Sequence, residues 1–145
     1  EIHLSALHCC SRDNLEVFLA SEKESRLFSK HWRLGKVVPG QVGIRCLHCS
    51  QSKQKKTLPV RFPSSVDDVF NVVRKFTYGH FFECKNFPPD VKKRFDDARD
   101  NSKYKGNQKD YYTKSALRLG LVDAPNGGVL MKGKSIVPGK FAELG

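Results

Sequence analysis

Val42-Gly43-Ile44-Arg45-Cys46-Leu47-His48-Cys49 is the stretch on which the reading of this chain turns. Val42, Ile44 and Cys46 alternate as on a strand, and that strand runs directly into C-x2-C. Thirty residues further on comes a second close pair, His80 and Cys84, spaced H-x3-C. At i and i+4 on a helix these two side chains share one face. Four thiol and imidazole donors in two close pairs suit a tetrahedral zinc ion, which makes Cys46, Cys49, His80 and Cys84 the candidate ligands. Protein would fill all four positions and leave none for water, so the expected cofactor is one structural Zn2+. The competing reading is two buried free thiols beside a hydrogen-bonded histidine.

Working outward, residues 51–56 are polar, basic and aperiodic, as a loop is. Residues 57–62 resume a strand, which Pro59 confines to an edge or a bulge. Pro63-Ser64-Ser65 opens a helix, with Ser64 as its cap and Asp67 in the first turn. Val66, Val69, Phe70, Val73 and Phe76 carry the helical period on to His80 and Cys84. Upstream, Asp13 and Glu16 form a capping-box pattern that predicts a helix with Leu15, Phe18 and Leu19 as its stripe. A second helix over residues 22–32 presents Leu27, Phe28 and Trp32, and Pro39-Gly40 turns into the cysteine strand. Pro88-Pro89-Asp90 starts a further helix, with Val91, Phe95 and Ala98 on one face. A Lys/Asn/Gly-rich loop at residues 101–108 precedes a last helix over 109–119, carrying Tyr112, Ala116 and Leu119 and stopped by Gly120. Residues 121–123 and 129–131 can pair across Asn126-Gly127-Gly128.

The expected fold is therefore α+β: a small zinc-knuckle β-hairpin and a metal-closing helix, wrapped by additional helices. Residues 1–145 read as a single zinc-stabilised domain. Its parts are a helical N-terminal segment (1–35), the zinc-binding core (36–87), a helical C-terminal segment (88–123) and a hairpin or extended tail (124–145).

A hydrophobic content of 39%, with ten Phe, is enough for a real core. The net charge is +11, which favours an acidic partner, above all nucleic acid. The charge is uneven: six Lys/Arg against five Asp/Glu in residues 1–40, eight against three in 41–85, and twelve against seven in 86–145. No run has the length of a membrane span, and residues 1–10 are too polar for a signal peptide. Five cysteines, an odd number, argue against a secreted disulfide framework, so an intracellular location is expected, and with a nucleic-acid partner a nuclear one.

Around these motifs the chain resembles known families. C-x2-C, strand and a helix ending in His and Cys, with Trp32 upstream, resembles a BED-type zinc finger over roughly residues 30–85. That resemblance implies DNA binding in transposase-derived or chromatin proteins. Gly43-Ile44-Arg45-Cys46 and His80-Phe81-Phe82-Glu83-Cys84 are also similar to the BIR fold, which implies a peptide-gripping module. The widest likeness is to a poorly characterised eukaryotic zinc-binding family with the G-Q-V-G-I-R-C-x-H-C motif, here residues 40–49. It extends to Pro63-Ser64-Ser65, residues 80–84 and residues 111–123, and implies little about mechanism.

The candidate nucleic-acid surface comprises Lys53, Lys55, Lys56, Arg61, Arg74 and Lys75, extended by Lys92, Lys93, Lys103 and Lys105. Tyr104 and Tyr111 interleave with it and can stack on bases, whereas Tyr112 reads as core. Scattered lysines are otherwise an ordinary solvated surface. His48 reads as a neighbour of the knuckle rather than a ligand. Cys9-Cys10 with His3 and His8 reads as a frayed terminus, because adjacent cysteines chelate poorly. No phosphate loop is present, Asp67-Asp68 and Asp96-Asp97 read as helix charges, and a Cys49–His48 nucleophile is disfavoured by the paired cysteines. The expected function is non-catalytic binding of nucleic acid, duplex DNA before RNA, with no membrane or small-molecule substrate. The alternative is a peptide or histone-tail reader built on the same zinc.

Overall fold

In the computed structural model, which describes residues 5–30, 36–51, 59–101, 108–132 and 139–140, β2 (Val42–Cys46) lies inside an antiparallel sheet. The strand order is β3-β2-β1-β6, with β1 Leu15–Leu19, β3 Val60–Arg61 and β6 Gly139–Lys140. Helices lie around this sheet, so the chain is α+β as expected. No helix among the described residues is long and apolar enough to cross a membrane.

The register explains the two cores. Leu15, Val17 and Leu19 stand opposite Cys46, Ile44 and Val42, and all six belong to or pack on the larger cluster. On the other face Phe18 opposes Gly43 and joins Ala20, Phe28, Val37 and Val60. A Cβ at Gly43 would stand 2.6 Å from Phe18 Cζ and 2.8 Å from Phe62 Cε1, so only glycine lets those rings cross the strand. Glu16 opposes Arg45 on the same face and accepts its Nε–H at 2.9 Å, and the guanidinium lies 4.2 Å from the Phe18 ring centroid.

This arrangement corrects the N-terminal reading. The helix predicted from Asp13 is not there: α1 spans Ala6–Asp13, capped by Ser5, and β1 follows it. The physical reason is that β1 is paired on both edges and buried on both faces. Its apolar residues therefore run nearly unbroken, and Leu15, Phe18 and Leu19 imitate a helical stripe. Glu16 pairs with Arg45 instead of closing a capping box. Cys9 and Cys10 lie within α1 rather than on a frayed end, with Cys10 buried. The tail differs too, since Gly139 and Lys140 pair with Val17 and Glu16 as a fourth strand.

Helix α2 (Glu22–Ser29) is held by a Ser21–Glu24 capping box; Phe28 is buried, Leu27 is exposed, and Trp32 falls outside the described residues. The long helical run begins one residue later than predicted. Ser65, not Ser64, accepts the Asp68 N–H, while Asp68 Oδ2 accepts from Ser64 N at 2.9 Å. It proceeds as a 3-10 turn (Val66–Asp68), α4 (Val69–Lys75), a π-turn (Phe76–His80) and α5 (Phe81–Glu83). Within the π-turn, Thr77 donates to the Val73 carbonyl at 2.8 Å and meets Ser11 Oγ at 2.6 Å, joining the run to α1.

Helix α6 (Pro89–Asn101) packs Phe95 and Ala98 inward, and α7 (Gln108–Arg118) buries Tyr112, Ser115 and Ala116. Gly120, at φ +86°, ends α7 where a left-handed residue is needed. The predicted hairpin is present as β4 (Leu121–Asp123) and β5 (Val129–Met131), and Asp123 Oδ1 accepts the Val66 N–H at 2.7 Å.

His8 lies between Phe70 and Tyr112, with Nδ1 buried and without a hydrogen-bond partner among the described residues. Burial first, then the charge of Arg74, lowers its pKa from the ordinary 6.5. The unfolded chain therefore binds the extra proton more readily. The stability His8 contributes is full above about pH 6.5 and declines as pH falls below it. Thermal melts of the parent should show this acid loss, and His8→Gln should reduce it; equal pH profiles for the two would refute the assignment.

Candidate metal centre

Each half of the centre follows from local structure. Strand β2 delivers Cys46, which is fully buried, and the chain then turns at once into α3 (Leu47–Ser50), carrying Cys49 back over it. On the opposite side the π-turn ends at His80 and α5 ends at Glu83, so Cys84 sits in extended backbone just past the helix. The sequence expectation of one shared helical face is corrected in this detail. His80 is helical and Cys84 is not, yet both reach the same point.

The ligand atoms of Cys46, Cys49, His80 and Cys84 all lie within 4.8 Å of one another, and together they could hold a metal ion. Cys84 Sγ is 3.8 Å from Cys46 Sγ and 3.7 Å from Cys49 Sγ, and Cys49 Sγ is 3.4 Å from His80 Nε2. A tetrahedral ion with metal–sulfur bonds of about 2.3 Å requires a sulfur–sulfur edge of roughly 3.8 Å. A disulfide would bring two sulfurs to about 2.05 Å. These separations fit a shared ion.

The electrostatics lead to the same reading. Burial pushes the thiols of Cys46 and Cys84 up and the imidazole of His80 down, so without a cation burial favours the neutral form of these three groups. Against this, the backbone N–H groups of His48 and Cys49 point at the Cys46 sulfur, and that of Asn86 at Cys84. The Asn86 side chain donates to Cys49 Sγ at 3.3 Å. Donors aimed at sulfur favour thiolate, the form that binds metal. Asn86 was not singled out from the sequence, although its place two residues after the last ligand was the available signal.

His48 stays outside the cluster, as expected. Its Nε2 is 2.7 Å from Asn14 Oδ1, and Asn14 Nδ2 donates to the Cys10 carbonyl at 2.7 Å. The knuckle is thereby tied to the end of α1.

The basic candidates are dispersed. Arg61 is exposed on β3, Arg74 and Lys75 on α4, and Lys92 and Lys93 on α6, where Lys93 pairs with Asp97 at 3.0 Å. Lys53, Lys55, Lys56, Lys103 and Lys105, with Tyr104, lie outside the described residues. Arg74 and Lys75 border an open cavity of about 380 Å³ with Asp68, Asn71 and Tyr78. Lys92 borders another, of about 190 Å³, beside Cys84, Lys85 and four phenylalanines. Tyr112 is core, and Tyr111 is half-buried against it. Tyr78 and Phe82, more than half exposed, were not among the candidates singled out in the sequence. Compared with protein-family models, curated proteins and solved structures, the chain matches none.

Proposed function

We propose that this is a non-catalytic, zinc-stabilised domain that binds nucleic acid, duplex DNA foremost, through its basic surface, in the nucleus. Zinc is the ion best suited to three thiolates and one imidazole at tetrahedral separations, and a site with four protein ligands is structural. The succession of strand, knuckle, strand and helix is also the order on which the resemblance to BED-type fingers rests.

The observation that carries the nucleic-acid reading is where the negative charge goes. Glu16 and Glu24 bind Arg45, Asp13 binds Arg12 and Arg94, Asp96 binds Arg99, and Asp110 binds Lys114. With those acids engaged by neighbours, Arg61, Arg74, Lys75 and Lys92 are exposed and form no salt bridge among the described residues. These four cations are thus presented to solvent, where phosphate contacts would supply most of the affinity.

Titration of a mixed-sequence DNA duplex at rising salt tests this. The logarithm of the binding constant should fall linearly with the logarithm of salt, by about 0.9 per neutralised phosphate. Arg74→Ala with Lys75→Ala should shallow the slope by nearly two such steps. Absent or salt-insensitive binding would overturn the reading in favour of a peptide reader using the phenylalanine-lined cavity beside Cys84.

A further inference from the structure

The helical run from Val66 to Glu83 has two stripes. Val69, Val72, Val73, Phe76 and Phe81 face the core; Asn71, Arg74, Lys75, Tyr78 and Phe82 face out. On that outward stripe Tyr78 is 57% and Phe82 55% exposed, four residues apart and each beside cations. Tyr78 stands with Arg74 and Lys75 around one open cavity, and Phe82 with Lys85 and Lys92 around the other.

Phe82 is held in place rather than free to rotate. The Arg99 guanidinium lies 3.7 Å from its ring centroid and 5.4 Å from that of Phe95, and Arg99 Nη1 donates to Asp96 at 3.5 Å. One ring face is thus backed by protein, and the entropy of fixing the ring is lost before any ligand arrives. The acids nearby are partly engaged. Asp68 accepts from Ser64 N and Asn71 Nδ2, and Asp96 binds Arg99, which leaves Glu83. Arg74, Lys75, Lys85 and Lys92 form no salt bridge among the described residues.

We propose that this stripe is a platform for a single-stranded segment of nucleic acid: Tyr78 and Phe82 stack on two unpaired bases, and the four cations hold the phosphates that join them. The proposal rests on the nucleic-acid reading above and narrows the form of nucleic acid taken at this face. Exposed aromatic rings interleaved with cations are the means by which proteins hold unpaired strands, because every base has a face to stack. Tyr78 lies in the π-turn and Phe82 in α5, so the four-residue step between them rises somewhat less than the roughly 6 Å of a regular α-helix. Stacked bases in a duplex strand are only about 3.4 Å apart. The platform therefore suits an extended strand whose bases have come apart, and a paired duplex offers no base face to either ring.

Fluorescence anisotropy with labelled oligo-dT and with a mixed-sequence duplex of equal length, at one salt concentration, tests this on the full chain. Tyr78→Ala and Phe82→Ala should each weaken oligo-dT binding about tenfold, at the lower end of a stacked base. Duplex binding should change less than about twofold, and Tyr78→Trp and Phe82→Trp should retain oligo-dT. Melting temperatures and Leu117→Ala, which removes an exposed apolar side chain elsewhere, control for folding and for loss of greasy surface. Unchanged oligo-dT binding, or equal loss on both ligands, would overturn the platform while leaving the nucleic-acid reading in place. A parent protein that binds neither ligand would overturn both.

Discussion

Cys46→Ser is expected to yield a chain that retains no zinc and shows no cooperative melt. Cys46 is the ligand with 0% exposure, at the end of the strand that pairs with both β1 and β3, so its loss strikes the sheet and the metal together. A neutral serine hydroxyl is a poor replacement for a thiolate ligand. Structural zinc contributes on the order of 10–16 kcal/mol to small metallo-domains. A domain of ordinary size has only about 5–15 kcal/mol in total. On that scale a bound zinc would decide whether the chain folds. Metal analysis should give close to one zinc per parent chain and almost none for Cys46→Ser. Cys9→Ser, outside the cluster on α1, should keep its zinc. A folded Cys46→Ser protein would refute the structural role.

Tyr112→Ala should be the most damaging substitution away from the metal. The ring is fully buried, between Phe70 at 5.9 Å and His8 at 6.1 Å, and its hydroxyl donates to the His8 carbonyl at 3.3 Å. Removing a buried aromatic side chain costs about 3–5 kcal/mol, which for a domain of this length lowers the melting temperature by roughly 10 °C. Tyr112→Phe, which keeps the ring, should cost only about 1 kcal/mol. Zinc content should be unchanged in both. A drop in metal content would mean that α7 supports the centre more directly than its contacts indicate.

The parts of the molecule that could be read from sequence are those governed by local spacing. C-x2-C and H-x3-C pointed to the four residues that cluster, because the distances a small ion would impose are short enough to survive as gaps of two and three residues. Helix α6, helix α7 and the β4–β5 hairpin were legible for the same reason, through a Pro start, a Gly stop and Asn-Gly-Gly. What local pattern could not reveal was pairing between distant segments. Leu15–Leu19 has apolar residues at helical positions only because β2 and β6 cover its edges and two cores cover its faces. Gly139 and Lys140 carry no strand signal, and their pairing with β1 comes from more than a hundred residues away. Within the π-turn Thr77 likewise meets Ser11, a partner that no window around the helix contains.

The placement of β6 has a consequence for the order in which the molecule can form. A chain made from its N-terminus has all four ligands once Cys84 has emerged, together with the β1–β2 ladder on which Cys46 sits. Metal capture can therefore precede the synthesis of α6, α7 and the hairpin. Until Gly139 and Lys140 arrive, however, the edge of β1 that they will cover remains open to any other strand. The nascent protein passes through an interval with its candidate metal seat assembled and one sheet edge unguarded, and the closing step waits for residues 139–140.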